Sequence, residues 1–365
     1  MNRGSGDGPS ASGGPARAAL GGHAGGAGAP LKTEARKNRH LDICLNDDVA
    51  STLDAGFAAV RLRHEALPEI ALEDVALGTK FLGHQLQAPL LISSMTGGTQ
   101  RAGTINRNLA RAAQTTGVAL GLGSIRAAIE NPALLATYDV REVAPSIALF
   151  ANLGAVQLNY GVDVEAVRRA IKAIGANGLY LHLNPLQEAL QPHGDTNFRA
   201  LLPKIASLIQ ALDVPVVAKS VGSGIAPSTA QRLLDAGVAA IDVAGAGGTS
   251  WARVEGKRSS DPARAKLGEH FADWGFPTAV ATRALRVAFP GASIVASGGV
   301  RTGVDVAKAL ALGANIAGIA LPLLEPATRS ADAVVEALGE IIEGLRIAMF
   351  ATGSRTVAQL PGALL

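Results

Sequence analysis

From residue 89 onward the chain repeats one unit: a short, almost unbroken apolar run that ends in Gly, Ser, Asn or Thr. Eight such runs can be read: PLLISSMTGG (89–98), GVALGLGS (117–124), IALFANLGA (147–155), GLYLHLN (178–184), VPVVAKSVG (214–222), AAIDVAGAGG (239–248), SIVASGGV (293–300) and IAGIALP (316–322). Continuous apolar runs suit parallel strands buried on both faces. Most intervals between them read as helices: NRNLARAAQTT (106–116), DVEAVRRAIKAI (163–174), PSTAQRLLDAG (227–237) and GVDVAKALALG (303–313). Eight strand–helix units over about 250 residues is the arithmetic of a (β/α)8 barrel. A doubly wound open sheet is the nearest alternative, and it usually needs fewer strands. The interval 249–292 is the longest and holds both tryptophans, Trp251 and Trp274. Its length predicts an extra loop or lid over the site after the sixth strand.

The rest of the chain of 365 residues is bounded by composition. Residues 1–30 are rich in Gly, Ala, Ser and Pro with no apolar period. Nothing there could offset the entropy of ordering, so a disordered tail over 1–33 and a single barrel domain over 34–365 are expected. Residues 1–40 carry six Lys/Arg against Asp7 and Glu34, a balance of +4, which leaves 27 basic against 28 acidic in the remainder. That near-neutral body argues against a nucleic-acid-binding surface. No stretch approaches ~18 uninterrupted apolar residues, so no membrane span is expected. The N-terminus has no apolar signal core, which points to the cytoplasm. The lone cysteine, Cys44, cannot form an internal disulfide.

In a barrel of this kind the chemistry sits at the C-terminal ends of the strands. The polar clusters of this sequence fall there: Ser93–Gly98, Ser124 with Arg126, Asn152, His182 to Glu188, Lys219, Gly247–Thr249 and Gly298–Arg301. SGGVRTG (297–303) and IALP (319–322) follow the seventh and eighth runs, the usual phosphate position of the fold. Glycines let backbone N–H groups approach a phosphate, and a helix starting after Thr302 and Gly303 is expected to add its dipole. Lys219 ends a buried strand, where an unpaired ammonium is costly. Either it pairs with a carboxylate or it faces a negatively charged ligand. Schiff-base chemistry is one role; stabilising the pyrimidine edge of a reduced flavin, with Asn152 beside it, is another. RKNRH (36–40) reads either as a solvated charge run or as a clamp on a polyanion through Arg36, Lys37 and His40. Glu188 suits a Mg²⁺ held by one carboxylate plus substrate phosphates and waters, or an ion pair with a nearby Arg. His182 reads equally as a core histidine and as part of the site.

Taken together, RKNRHLDICL (36–45), SSMTGGT (93–99), GLGSIRAA (121–128), ANLGAVQL (151–158), HLNPLQE (182–188), AKSVGSGI (218–225), DVAGAGGTSWARVE (242–255) and SGGVRTGVDVAKALALGA (297–314) resemble type 2 isopentenyl-diphosphate isomerase, in that family's order. The resemblance runs from about residue 34 to the end. It implies an FMN-dependent (β/α)8 enzyme that converts isopentenyl diphosphate to dimethylallyl diphosphate by a 1,3-allylic proton shift. FMN would then be held by Met95, Thr96, Gly97, Ser124, Asn152, Lys219, Thr249, Gly298, Gly299, Val300, Arg301, Ala320 and Leu321. Arg36, Lys37, His40, Arg126, His182 and Asn184 would meet the diphosphate. Gln187 and His182 would be the catalytic side chains, with Gln187 beside the carbon chain, and Glu188 would bind Mg²⁺. The family uses reduced FMN, so NADPH or another reductant is implied, as is a homo-oligomer, tetramer or octamer. Trp251 and Trp274 are candidates to cover the isoprene tail.

Other readings meet obstacles in the residues. An FMN-dependent 2-hydroxy-acid oxidase needs a histidine base near the end of the sixth strand, and DVAGAGGTSW has none. A nucleotide dehydrogenase with a loop cysteine fails because Cys44 lies outside the barrel runs. A non-catalytic flavin- or phosphate-binding barrel is opposed by the filled ring of polar strand ends.

Overall fold

A computed structural model of the chain describes Met1 and residues 29–365. Most of the expected tail lies outside the described residues, and the first helix begins inside its expected span. The helices are α1 (Ala29–Asn46), α2 (Gln100–Thr116), α3 (Arg126–Glu130), α4 (Val164–Ile174), α5 (Pro185–Leu190), α6 (Leu201–Ala211), α7 (Pro227–Asp235), α8 (Trp251–Arg258), α9 (Pro262–His270), α10 (Thr278–Ala288), α11 (Gly303–Ala311), α12 (Leu321–Arg329) and α13 (Ala331–Ala351). The strands are β1 (Thr79–Phe81), β2 (His84–Leu86), β3 (Leu90–Ile92), β4 (Ala119–Ser124), β5 (Leu149–Gly154), β6 (Gly178–His182), β7 (Val216–Lys219), β8 (Ala240–Asp242), β9 (Ile294–Ser297) and β10 (Ile316–Ile319).

β3 to β10 close into one parallel barrel, with β10 pairing back onto β3. All eight apolar runs became these strands. Register runs from strand to strand, for example Leu181↔Ala218 and Ala218↔Ile241, with one shift in the β4–β5 pair between Gly121 and Ser124. Local chemistry sets the helix ends. Thr99 caps α2 through Ala102 N, and Asp163 caps α4 through Ala166 N. Gly117 and Gly175 close the same two helices in the left-handed conformation that glycine adopts without strain. Among the described residues no helix is long and apolar enough to cross a membrane.

Inside the barrel, side chains from one face of each strand follow a period of two. Leu91, Ala119, Phe150, Tyr180, Val217, Ala240, Val295 and Ile316 pack together with Phe81 and Leu86 of the β1–β2 hairpin. The hairpin therefore plugs the end where the strands begin. Phe150 meets both Phe81 and Tyr180 edge to face, at ring separations of 6.1 and 5.5 Å. The other strand face packs against the helices in a larger core.

The interval after the sixth strand differs from expectation. Expected as an extra loop or lid, it forms three helices, α8, α9 and α10. α8 packs against α1 and α5, so the segment before the barrel and the segment after β8 cover the same end.

Candidate active site

Two residues beyond the apolar floor, the same strand faces turn polar: Ser93, Asn152, His182, Lys219, Asp242 and Ser297. Above them lies a cavity of about 250 Å³. Except for Asn152, every residue expected to bind cofactor, substrate or metal lines it. Asn152 sits behind His182, with its Oδ1 2.8 Å from His182 Nδ1. Facing an amide oxygen, Nδ1 carries the imidazole proton. Burial, then Lys219 and Lys37, push the His182 pKa down to about 3. Without a bound anion, His182 is thus a neutral imidazole held by Asn152.

The α1 residues divide into different roles. Arg36 faces the cavity and makes no hydrogen bond or ion pair among the described residues. Lys37 differs from the expectation of a free phosphate ligand. Its Nζ donates to Gly97 O (2.6 Å), Ser124 O (3.2 Å) and Tyr138 Oη (3.0 Å), which uses all three ammonium N–H groups. Burial is the main cause that lowers its pKa to about 7. Lys37 thereby ties α1 to the turns after β3 and β4. The glycines of MTGG serve this packing: a Cβ at Gly97 would lie 2.1 Å from the Tyr138 ring, and one at Gly98 2.8 Å from Lys37 Nζ. His40 stands 3.1 Å from Glu255 Oε1 and edge-on to Trp251. Arg126 is held between Glu130 (2.6 Å) and Asp195 (2.5 Å).

The cluster after β6 is ordered by Pro185, which starts α5 and places Asn184, Gln187 and Glu188 on one turn. Gln187 is fixed at both ends of its amide: Oε1 accepts from Asn184 Nδ2 (3.1 Å) and Nε2 donates to Glu255 Oε1 (3.0 Å). Glu188 is buried, which raises its pKa. Its Oε1 accepts from Asn184 Nδ2 (2.9 Å); its Oε2 accepts from Asp195 N (2.7 Å) and Gln191 Nε2 (3.2 Å). Asn184 Oδ1 is buried without a partner. Glu188 Oε1 and this orphaned oxygen fit a hard cation that seeks oxygen. Among the described residues no group of three or more His, Cys, Asp or Glu could hold a metal alone. A cation there would complete its shell from substrate and water, as Mg²⁺ commonly does.

Glu255 was not singled out from the sequence, although it ends the SWARVE stretch. Its carboxylate is fully buried on α8 and gathers Gln187, His40 and Arg258 Nε (2.8 Å). These partners outweigh the burial penalty and lower its pKa to about 2. Only the fold could reveal the whole set, because His40 lies on α1 and Gln187 on α5.

At the opposite side, Gly298 and Gly299 both take positive φ, 96° and 75°. Successive glycines of this kind turn backbone N–H groups toward an anion. Neither tolerates a side chain: a Cβ at Gly298 would lie 2.2 Å from Gly245 O. The start of α11, expected to offer its dipole to a phosphate, carries a side-chain cap. Asp305 Oδ2 accepts from Arg301 N (3.1 Å) and Thr302 N (3.0 Å), and Thr302 Oγ1 accepts from Asp305 N (3.2 Å). That capping box closes the helix end upon itself. α12 begins at the cavity instead, at Ala320, Leu321 and Pro322, without a side-chain cap. It is the short extra helix that completes phosphate sites in this fold. Lys219, whose one hydrogen bond among the described residues is to Ser220 O (2.8 Å), stands between the two sides. A cavity with a glycine-and-helix anion cradle and a central lysine fits FMN.

Trp251 lines the cavity, but Trp274 does not; it is exposed and packs on Phe271. Of the two tryptophans, only Trp251 is placed to touch an isoprene tail.

Comparison with known proteins agrees with this geometry. The family model for FMN-dependent dehydrogenase matches residues 183–365. The chain is 49% identical over 330 residues to an isopentenyl-diphosphate delta-isomerase of Nostoc sp. (strain PCC 7120 / SAG 25.82 / UTEX 2576), covering 90% of this chain and 94% of the relative. It is 53% identical over 321 residues to the protein of that name from Xanthobacter autotrophicus (strain ATCC BAA-1158 / Py2), covering 87% and 93%. Among solved structures, a mandelate oxidase with a monooxide FMN adduct aligns with a TM-score of 0.62 at 21% identity, over 89% of this chain and 94% of that one. A flavocytochrome b2 with sulfite bound aligns with a TM-score of 0.65 at 18% identity, over 90% and 82%. At those identities the two structures show the shared fold alone.

Proposed function

Because the chain belongs to the type 2, FMN-dependent isopentenyl-diphosphate delta-isomerases, we propose that it interconverts isopentenyl and dimethylallyl diphosphate by a 1,3-allylic proton shift that requires reduced FMN and Mg²⁺. The observation that supports this reading is that one cavity is lined by two separate sets of groups suited to anions. Gly298–Gly299 with the start of α12 suits the phosphate of FMN. Across the cavity, the uncommitted Arg36 with the Glu188–Asn184 oxygens suits a diphosphate and its cation. Residues 34–365 act in this reading as one FMN-binding domain.

The roles follow from the contacts. Met95, Thr96, Gly97, Ser124 and Thr249 border the flavin; Val300, Arg301, Ala320 and Leu321 border its phosphate end. Lys219 supplies positive charge at the pyrimidine edge, and Asn152 acts through His182 rather than by touching the ring. Arg36 gives the diphosphate paired N–H donors. Arg126 adds charge from its place between Glu130 and Asp195, and Lys37 positions α1 above both sites. Gln187, oriented by Asn184 and Glu255, lies beside the reacting carbons. The shift adds a proton at one end of the allylic unit and removes one at the other, with no net redox change. When bound, the reduced flavin supplies the acid and base. The protein side chains suit that division of labour: His182 is neutral, and Glu255 is locked as a carboxylate by its partners, so neither is poised to protonate an alkene. NADPH or another reductant, a cytoplasmic setting and a homo-oligomer follow from the family resemblance.

A 2-hydroxy-acid oxidoreductase would share the fold, but the end of β8 and the glycine loop after it present no histidine. The deciding assay is anaerobic conversion of isopentenyl diphosphate with FMN, Mg²⁺ and reductant, each omitted in turn. Product that disappears without reduced flavin is the expected result; flavin binding without isomerisation overturns the substrate assignment. In the same assay Glu188→Gln should raise the Mg²⁺ concentration for half-maximal rate about tenfold or more, since one formal charge is lost from the cation's carboxylate. Flavin content should stay at wild type. Unchanged Mg²⁺ dependence would remove Glu188 from the metal site.

A further inference from the structure

Asp242 is the one carboxylate in the polar layer below the cavity. It is fully buried at the end of β8. One of its oxygens, Oδ1, accepts from Ser297 Oγ (2.6 Å) and Ala244 N (3.2 Å). The other, Oδ2, is buried with no partner. On the next strand Lys219 stands directly in register with it. Paired residues on adjacent strands share a face, yet the two charges do not reach ion-pair distance here, and Lys219 donates only to Ser220 O. The other titratable groups turned toward this pair are both from β6: Tyr180, whose hydroxyl is also buried without a partner, and His182, in register with Lys219. From β9 comes only the Ser297 hydroxyl. A half-buried ammonium with two spare N–H groups and a fully buried carboxylate with a spare oxygen thus lie side by side at the barrel interior.

We propose that Asp242 is a positioning residue that keeps Lys219 protonated beside the flavin, its free Oδ2 acting across the β7–β8 pair directly or through a buried water. This deepens the reading above and rests on its placement of Lys219 against FMN. The physical need is clear. An ammonium in the barrel interior loses its proton unless a counter-charge compensates for desolvation. Burial lowers the Lys219 pKa while Asp242 raises it, and the reverse holds for Asp242 itself. Lys219 can favour an anionic reduced flavin only while it is charged. A hydroxyl or amide at position 242 would satisfy Ser297 and Ala244 equally well, so the second carboxylate oxygen is what the local hydrogen bonds do not explain.

The test is the reduction equilibrium of bound FMN measured from pH 6 to pH 9 on holoenzyme. Two-electron reduction to the anion takes up one proton, so in wild type the preference for reduced flavin should fall about tenfold per pH unit. In Asp242→Asn, Lys219 should lose its proton in the oxidised enzyme and regain it on reduction. The fall should then steepen toward about a hundredfold per unit over part of the range. Parallel curves for the two proteins overturn the proposal. Lys219→Met separates the levels of failure: an unchanged equilibrium shows that Lys219 is not beside the flavin, and the proposal falls with that assignment. A shifted equilibrium in Lys219→Met with parallel curves in Asp242→Asn removes Asp242 alone. Should Asp242→Asn fail to fold, the reduced-minus-oxidised infrared spectrum of wild type decides. The absence of a protonated-carboxyl band is expected, and its presence overturns an ionised Asp242.

Discussion

Glu255→Gln should lower turnover of isopentenyl diphosphate by about a hundredfold or more while the enzyme still takes up FMN. The magnitude follows from what Glu255 holds. Gln187 Nε2, His40 and Arg258 all converge on one carboxylate with no solvent exposure. A neutral amide leaves the buried Arg258 charge uncompensated, and removal of one partner from a buried ion pair is strongly destabilising. It also frees the Gln187 amide to turn, and misplacement by about 1 Å in a site of this kind can cost a hundredfold in rate. None of the residues proposed to border the flavin shares a side-chain hydrogen bond or ion pair with Glu255 among the described residues. The check is kcat alongside flavin stoichiometry; full activity in Glu255→Gln would remove it from the site.

A pH consequence follows from the same carboxylate. Its folded pKa is depressed, from the ordinary 4.5 to about 2. The unfolded chain therefore binds more protons than the folded one between those values. The stabilisation is fully present above about 4.5 and is lost as pH falls toward about 2. Acid should loosen the α1–α8 cover first, read as hydrogen exchange in α1 rising below pH 4.5 before the barrel strands respond.

Arg36→Ala is expected to raise KM for the diphosphate by roughly thirtyfold to a thousandfold, with kcat changed much less. Two charge-assisted hydrogen bonds, at about 1.5–3 kcal/mol each before partial compensation by water, set that range. Arg36 has no partner among the described residues, so its loss costs the folded protein little and the deficit falls on the substrate. Lys37→Ala should behave differently. It cuts a three-point tether, so it should impair FMN and substrate affinity together. Steady-state kinetics with flavin binding measured separately distinguishes the two. A Lys37→Ala enzyme with normal flavin affinity would return Lys37 to the diphosphate.

The start of α11 shows where a local motif misleads. RTGVD reads as an open helix N-terminus, but the Asp305 carboxylate accepts from Arg301 N and Thr302 N and the Thr302 hydroxyl accepts from Asp305 N, so these three N–H groups are already committed. The capping-box spacing of Thr302 and Asp305 is a local feature of the sequence. Trp274 shows the reverse case. Nothing local separates it from Trp251, and its exclusion from the cavity depends on how α9 and the turn before α10 pack.

What the sequence determined by itself is what nearest neighbours and short periods determine. Eight apolar runs at barrel spacing specify eight strands, because a strand buried on both faces needs no distant information to be recognised. The step of two residues from Phe150 to Asn152, Tyr180 to His182 and Val217 to Lys219 already separates an apolar floor from a polar rim, because alternate side chains must share a face. The tertiary structure alone decided which polar groups are spoken for. Lys37 finds its acceptors 60, 87 and 101 residues away, and Gln187 meets Glu255 68 residues away. Contacts across such separations leave no periodic trace in the chain. Yet in a dry interior they determine whether a lysine is a tether or a ligand and whether an imidazole is charged or neutral, since burial and a partner within about 3 Å govern both.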